Sequence, residues 1–166
     1  DHWNAFFDNE ADLKRAKEHQ LERTITIFPW IAIIDKFQHW VYEHPTHTIE
    51  ERTATWMQIL NEFSGTGIDY TGLDEYRATG WQRQLHLFEV PFYYIEYGIA
   101  QLGAIGLWMQ YKQNPEQAIQ NYMNALSLGG TKTLPELYQA AGLEFNLTPA
   151  YIKKLMEFVK TEMDQL

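Results

Sequence analysis

The residues best suited to chemistry lie between positions 86 and 97, where a histidine precedes a run of tyrosines. His86 is followed by Tyr93, Tyr94 and Tyr97 in the segment His86-Leu-Phe-Glu-Val-Pro-Phe-Tyr-Tyr-Ile-Glu-Tyr97. On a helix, residues three or four apart share a face, so Tyr97 can share one with Tyr94 or with Tyr93. Phenols are neutral donors at neutral pH and suit a carbonyl oxygen or a developing oxyanion. The alternative is that these tyrosines are part of an aromatic core, each hydroxyl bonded to a carbonyl or to water.

Two acidic residues flank this segment. Glu89 and Glu96 could act as an acid–base pair, but roles at helix ends and on the surface explain them more simply. If Glu96 is buried, its charge needs a partner, and Arg83 is one candidate.

Three histidines, His39, His44 and His47, gather around Pro45. Their spacing lacks the helical pair four residues apart, with a nearby acid, that catalytic zinc prefers, so a solvent-exposed turn is favoured over a metal site. The sequence contains no H-E-x-x-H, no P-loop, no dinucleotide-binding glycine pattern and no order of residues typical of a serine hydrolase.

The composition favours a folded, soluble protein over a nucleic-acid or membrane protein. The 166 residues are 45% hydrophobic and 15% aromatic, with a net charge of −9 and no cysteine. Such an excess of acid disfavours nucleic acid as a partner, because a phosphate backbone requires clustered Lys and Arg. The longest apolar run, residues 99–109, is too short to span a bilayer. Without cysteine there is neither a disulfide nor a thiolate metal site.

The patterning predicts about seven helices, hence a single all-α domain over residues 1–166. Pro29 either starts a new helix or kinks the preceding one. Thr48 and Glu51 form a capping box, and Thr148 caps the last helix. The segment 81–88 is ambiguous between helix and extended chain. The seven helices are predicted at residues 8–28, 30–44, 48–63 (stopped by Ser64-Gly-Thr-Gly67), 92–113 (preceded by Pro91 as a first-turn residue), 117–126, 134–142 and 149–166, with room for one further short helix at 73–77.

The helix after Pro91 carries an unusual number of small residues. Because glycine lowers helix stability, so many of them require a reason, and close approach of another helix or of a ligand provides one. The small residues are Gly98, Ala100, Gly103, Ala104 and Gly106.

Longer blocks carry a resemblance to a known family. Residues 81–104, which read Trp-Gln-Arg-Gln-Leu-His-Leu-Phe-Glu-Val-Pro-Phe-Tyr-Tyr-Ile-Glu-Tyr-Gly-Ile-Ala-Gln-Leu-Gly-Ala, are similar to the C-terminal part of the oligoendopeptidase F group of thimet-type zinc oligopeptidases. Residues 35–42 and 128–142 agree with it, so the resemblance covers essentially the whole chain. It implies a largely helical protein that cleaves short peptides in a deep channel, using a zinc ion held by an H-E-x-x-H helix and a further Glu.

By this resemblance, His86 corresponds to the family's substrate-contacting histidine. Tyr94 and Tyr97 correspond to its pair of tyrosines three apart, with Tyr97 as the oxyanion donor, and Tyr93 lines the channel. No zinc ligand can be placed on this sequence. We therefore expect the C-terminal, substrate-binding fragment of a cytoplasmic zinc metalloendopeptidase, inactive by itself because the chemistry requires a metal-bound water.

The expected partners are short peptides and the missing zinc-binding part of the same protein, with no nucleic acid and no membrane. Surface left apolar where that part would dock could allow the fragment to self-associate. The alternative hypothesis is a non-catalytic helical binding or interaction module derived from a peptidase. An H-E-x-x-H upstream of Asp1 would favour the enzyme, and a start codon near Asp1 would favour the module.

Overall fold

The computed structural model describes residues 2–65 and 67–166. Within them the chain forms helices and no strand, so the predicted all-α class is confirmed. Three short 3-10 helices lie at Trp3–Ala5, Gly80–Arg83 and Gly129–Thr131. The α-helices are α1 (Glu10–Glu43), α2 (Ile49–Phe63), α3 (Asp74–Ala78), α4 (His86–Glu89), α5 (Ile95–Gln113), α6 (Pro115–Ser127), α7 (Leu134–Ala140) and α8 (Pro149–Met163).

Most helix ends agree with the sequence pattern. Thr48 and Glu51 form the predicted capping box of α2, and the Thr148 side chain caps α8. The helix α2 ends at Phe63, just before the predicted stop, of which Thr66 lies outside the described residues. No helix in the described ranges is long and apolar enough to cross a membrane.

The helix α1 runs without a break through Pro29. Pro29 therefore does not start a new helix, which was one of the two possibilities left open by the sequence. Proline has no N–H, so the hydrogen bond to the carbonyl four residues earlier is missing there. Burial of the following turns offsets that loss, since Ile31, Ile34 and Phe37 are almost completely buried.

The chain divides into two compact units, Thr26–Gly98 and a second one made of residues 1–25 and 99–166. In the first, Ile34 and Phe37 of α1 pack with Trp56 and Ile59 of α2 around a buried core. Phe37 contacts the Trp56 ring edge-on, with 5.1 Å between ring centroids. The Trp56 indole N–H donates to the Arg77 carbonyl at 2.7 Å, so its one polar atom is paired inside the core.

The second unit has a separate apolar centre. Ile105 of α5 and Leu155 and Val159 of α8 are buried there. Trp108 packs edge-on against Phe158, with 4.8 Å between centroids.

The small residues of α5 allow close contacts, as the sequence predicted. A Cβ at Gly103 would lie 2.9 Å from the Tyr138 hydroxyl, and one at Gly106 would lie 2.8 Å from a Leu143 methyl. The Tyr138 hydroxyl also donates to the Ile99 carbonyl, so it is held against the helix. Close approach of α7 and of the segment after it therefore explains both glycines.

The start of α5 differs from the prediction. The expected helix at residues 92–113 begins instead at Ile95, and Pro91 lies in the turn before it. The reason is Phe92, whose φ of 60° is left-handed and incompatible with the first turn of a right-handed helix. The Phe92 N–H donates to Oε1 of buried Gln38 at 2.9 Å, and the Phe92 ring packs against His39, 4.9 Å between centroids.

We predict that Gly103→Ala destabilises the protein by about 1–3 kcal/mol, because the added methyl group must displace the Tyr138 hydroxyl from its carbonyl. Gly98→Ala on the same helix is the matched control. Its Cβ would meet Ile31 at an ordinary 3.5 Å, so the higher helix propensity of alanine should leave stability equal or greater. Urea unfolding monitored by circular dichroism measures both, and equal effects would contradict the close-contact explanation.

We also predict that Gln38→Leu destabilises the turn by about 1–3 kcal/mol, because the Phe92 N–H loses its acceptor. Thermal unfolding measures the change. Gln58→Leu is the control, since Gln58 is exposed on α2 of the same unit. An unchanged midpoint in Gln38→Leu would show that Phe92 does not depend on this hydrogen bond.

Candidate functional site

The four residues expected to contact substrate come from consecutive elements of the unit Thr26–Gly98. His86 begins the one-turn helix α4, and Tyr97 lies in the first turn of α5. Tyr93 and Tyr94 lie in the turn between these helices, which begins with the left-handed Phe92. The side chains of His86 and Tyr97 are therefore presented by helices, and those of Tyr93 and Tyr94 by the turn.

The turn brings these side chains together, as the predicted role requires. Nε2 of His86 is 3.1 Å from the Tyr97 hydroxyl. The His86 ring lies edge-on to Tyr94, 5.0 Å between centroids, and Tyr94 is 5.1 Å from Tyr97. The Tyr93 ring contacts Tyr97 at 5.9 Å. The Tyr97 N–H donates to the Tyr94 carbonyl three residues back, in the turn that leads into α5.

The cluster has an exposed side and a supported side. The side chains of Tyr93 and Tyr97 are 50% and 43% exposed, whereas His86 and Tyr94 are half-buried. Burial raises the pKa of the Tyr94 phenol above its usual value of 10.0, and hydrogen bonds from Trp30 and Gln84 partly oppose that shift. The Tyr94 hydroxyl is therefore neutral, and able to donate, over the physiological pH range.

The arrangement offers hydrogen-bond donors and no adjacent acid or nucleophile. Two neighbouring phenols and an imidazole can hold a carbonyl oxygen, and the contact strengthens if that oxygen gains negative charge. Glu89 is exposed at the end of α4, and Glu96 is in the first turn of α5, where the helix dipole favours a carboxylate. Within the described chain, Glu96 and Arg83 form no ion pair.

The three histidines around Pro45 do not form a metal site. His44 stacks on Trp40 with 4.8 Å between centroids, and its Nδ1 lies 2.9 Å from the Trp40 carbonyl oxygen. His47 packs on the same indole ring, whereas His39 lies on Asp35 and Phe92. The described part of the chain contains no group of three or more His, Asp or Glu able to hold a metal ion. These residues therefore do not fit a zinc centre.

Sequence reasoning missed two supporting residues. Gln84 lies two positions before His86, and its amide nitrogen is 2.7 Å from Nδ1 of His86. The indole N–H of Trp30, on α1, donates to the side-chain oxygen Oε1 of Gln84 at 3.3 Å. Gln84 lies inside the block that resembles the oligopeptidases, but no local spacing indicates its partners. Trp30 is 54 residues away in sequence, so only folding brings it here.

The cluster is open rather than enclosed. A cavity of about 250 Å³ in the same unit is lined by residues such as Gln38, Arg52 and Trp81 and by none of the four site residues. A cavity of about 500 Å³ in the other unit contains none of them either. Geometry and hydrogen bonding, rather than cavity size, therefore identify the candidate site.

Comparison with known proteins identifies the family of the chain. The model of Peptidase family M3 matches residues 2–157. An oligoendopeptidase F homolog of Borreliella burgdorferi is 23% identical over 165 residues, which are 95% of this chain and 27% of that protein. A crystal structure with the provisional name oligoendopeptidase F superposes with a TM-score of 0.81 at 28% identity, over 94% of this chain and 28% of that one.

A structure of PZ peptidase A with an inhibitor superposes with a TM-score of 0.86 at 29% identity and the same coverage. The chain thus spans between a quarter and a third of the length of the relatives it matches. The chain belongs to Peptidase family M3, within its oligoendopeptidase F members.

Proposed function

We propose that this chain is the C-terminal, substrate-binding part of a zinc-dependent oligopeptidase that hydrolyses short peptides. Family membership and the coverage of about a quarter of the Borreliella relative support this proposal. The observation that carries it is the contact of His86 with Tyr97, 3.1 Å between Nε2 and the hydroxyl, beside the Tyr94 ring. Two phenols so close together, one of them supported by the imidazole, favour contact with one peptide carbonyl.

The proposed role of Tyr97 is to donate its hydroxyl hydrogen to the oxygen of the scissile carbonyl. As that carbon becomes tetrahedral, negative charge grows on the oxygen and the hydrogen bond strengthens. The contact therefore stabilises the transition state more than the bound substrate. His86 supports the Tyr97 hydroxyl and contacts the substrate backbone. Tyr94 is the second donor, and exposed Tyr93 contacts the peptide beside the reacting bond.

Zinc in this family supplies the activated water that attacks the peptide. The residues present do not fit a zinc site, so we assign the metal to another part of the same protein, which is this chain's proposed partner together with the peptide. The same proposal places the enzyme in the cytoplasm. By itself the chain would bind a peptide carbonyl but would not cleave the bond.

In the full-length protein, Tyr97→Phe should lower kcat by roughly 10²- to 10³-fold, the usual effect of removing one oxyanion donor, with a much smaller change in KM. Steady-state hydrolysis of a fluorogenic short peptide measures both constants. Tyr76→Phe is the matched control, because Tyr76 is an exposed tyrosine of the same unit outside the cluster. An unchanged kcat in Tyr97→Phe would remove the oxyanion role.

The 166-residue chain alone should hydrolyse no short peptide, whereas the full-length protein should. A chelator should abolish the activity of the full-length protein and added zinc should restore it. Peptide cleavage by the chain alone would contradict the division of the site proposed here. A full-length protein that binds peptides but cleaves none with zinc present would instead favour a non-catalytic module derived from a peptidase.

A further inference from the structure

Four side chains form a continuous row of hydrogen bonds that ends at the exposed Tyr97 hydroxyl. Nε1 of Trp30 lies 3.3 Å from Oε1 of Gln84, and Nε2 of Gln84 lies 2.7 Å from Nδ1 of His86. Nε2 of His86 is 3.1 Å from the Tyr97 hydroxyl. All four residues belong to the unit Thr26–Gly98. The row thus runs from the long helix α1 to the first turn of α5.

The direction of these hydrogen bonds follows from the first member. An indole N–H can only donate, so at 3.3 Å the side-chain oxygen of Gln84, rather than its NH₂, faces Trp30, although both side chains also bond to the Tyr94 hydroxyl. The amide NH₂ of Gln84 then faces His86, and an NH₂ group can only donate. Nδ1 of His86 must therefore be the acceptor, which leaves the single proton of the neutral imidazole on Nε2. The reversed amide would place two donors against each other at Trp30.

The tautomer of His86 decides what Tyr97 can do. If Nε2 carries the proton, it donates to a lone pair of the Tyr97 oxygen, and the phenolic hydrogen turns away from the histidine. If Nδ1 carried the proton, Nε2 would accept the phenolic hydrogen of Tyr97. That hydrogen could then not be donated to another group. Only the first arrangement leaves the Tyr97 hydroxyl able to donate to another group.

We propose that Gln84, oriented by Trp30, is a positioning residue that holds His86 in the Nε2–H tautomer and so keeps the Tyr97 hydroxyl free to donate to substrate. The first half of this inference concerns the chain alone, and the second half rests on the function proposed above. Gln84 touches no substrate in this scheme, since it acts through His86.

Nitrogen-15 NMR of the chain labelled in histidine tests the first half directly, because protonated and unprotonated ring nitrogens resonate in separate regions. The His86 signals are assigned by their loss in His86→Gln. In the unsubstituted chain we expect an unprotonated Nδ1 and a protonated Nε2. A predominantly protonated Nδ1 would overturn the proposal without reference to any variant or activity.

Two substitutions test the control by Gln84. Gln84→Glu replaces the donor by a carboxylate that only accepts, so Nδ1 should gain a proton. Gln84→Leu removes the partner, so the signals should move toward a mixture of tautomers. Gln82→Leu, two residues earlier and exposed in the 3-10 helix that precedes Gln84, should leave the His86 signals unchanged. Unchanged signals in both Gln84 variants would overturn the proposal, and circular dichroism verifies that each variant is folded.

The kinetic consequence is measured in the full-length protein. Gln84→Leu should lower kcat roughly tenfold or more with little change in KM, as expected of a residue that acts through another. Failure of the positioning role of Gln84 can be distinguished from failure of the proposed function. If Tyr97→Phe loses turnover while Gln84→Leu keeps it, the positioning role of Gln84 is wrong. If the tautomer is as proposed but Tyr97→Phe keeps full turnover, the oxyanion role is wrong instead.

Discussion

The candidate site depends on one hydrogen bond, from the Phe92 N–H to the side chain of buried Gln38. This hydrogen bond satisfies the N–H of Phe92, whose φ is 60°. That conformation costs a non-glycine residue roughly 1–3 kcal/mol. Because Phe92 is left-handed, α5 cannot begin at Pro91 and begins at Ile95 instead. Tyr93 and Tyr94 then lie in a turn rather than on a helix. The tyrosine cluster owes its shape to that delayed helix start.

The turn that contains Phe92 depends on the aromatic core of the same unit. Gln38 is on α1 next to Phe37, which packs against Trp56 and Trp81, the latter with 5.7 Å between centroids. Trp81 lies in the 3-10 helix that leads into Gln84 and His86. The same core therefore supports both the approach to His86 and the turn at Phe92. Close packing of this kind is rigid, which is what a set of hydrogen-bond donors needs if its geometry is to match a reacting carbonyl.

Under the proposed function, the cluster forms one side of an active site. Its groups are phenols, an imidazole and an amide, all able to donate and none placed as a general base for water. Burial raises the pKa of the Tyr94 phenol above its usual value, which keeps that hydroxyl able to donate. Preorganised neutral donors stabilise charge that appears during reaction without first binding an anion. Under the proposed function, these donors and the metal-activated nucleophile would come from separate parts of the protein.

Much of the fold could be predicted from the sequence. Apolar spacing at three and four residues predicted the helices, because the stripe that α1 or α8 buries is a local property of the chain. The capping residues Thr48 and Thr148 were readable for the same reason. The block from Trp81 to Tyr97 indicated the family and the four candidate site residues, and the glycines of α5 indicated close packing before their partners were known.

What tertiary structure alone decided is how those residues are presented. Whether Pro29 breaks α1 depended on the burial of Ile31, Ile34 and Phe37, which local propensity does not contain. The late start of α5 required Gln38, and the orientation of Gln84 required Trp30, each 54 residues from its partner. Hydrogen bonds between residues so distant in sequence leave no periodic pattern. The sequence by itself thus indicated most of the helices and the candidate site residues, and packing decided how those residues are presented.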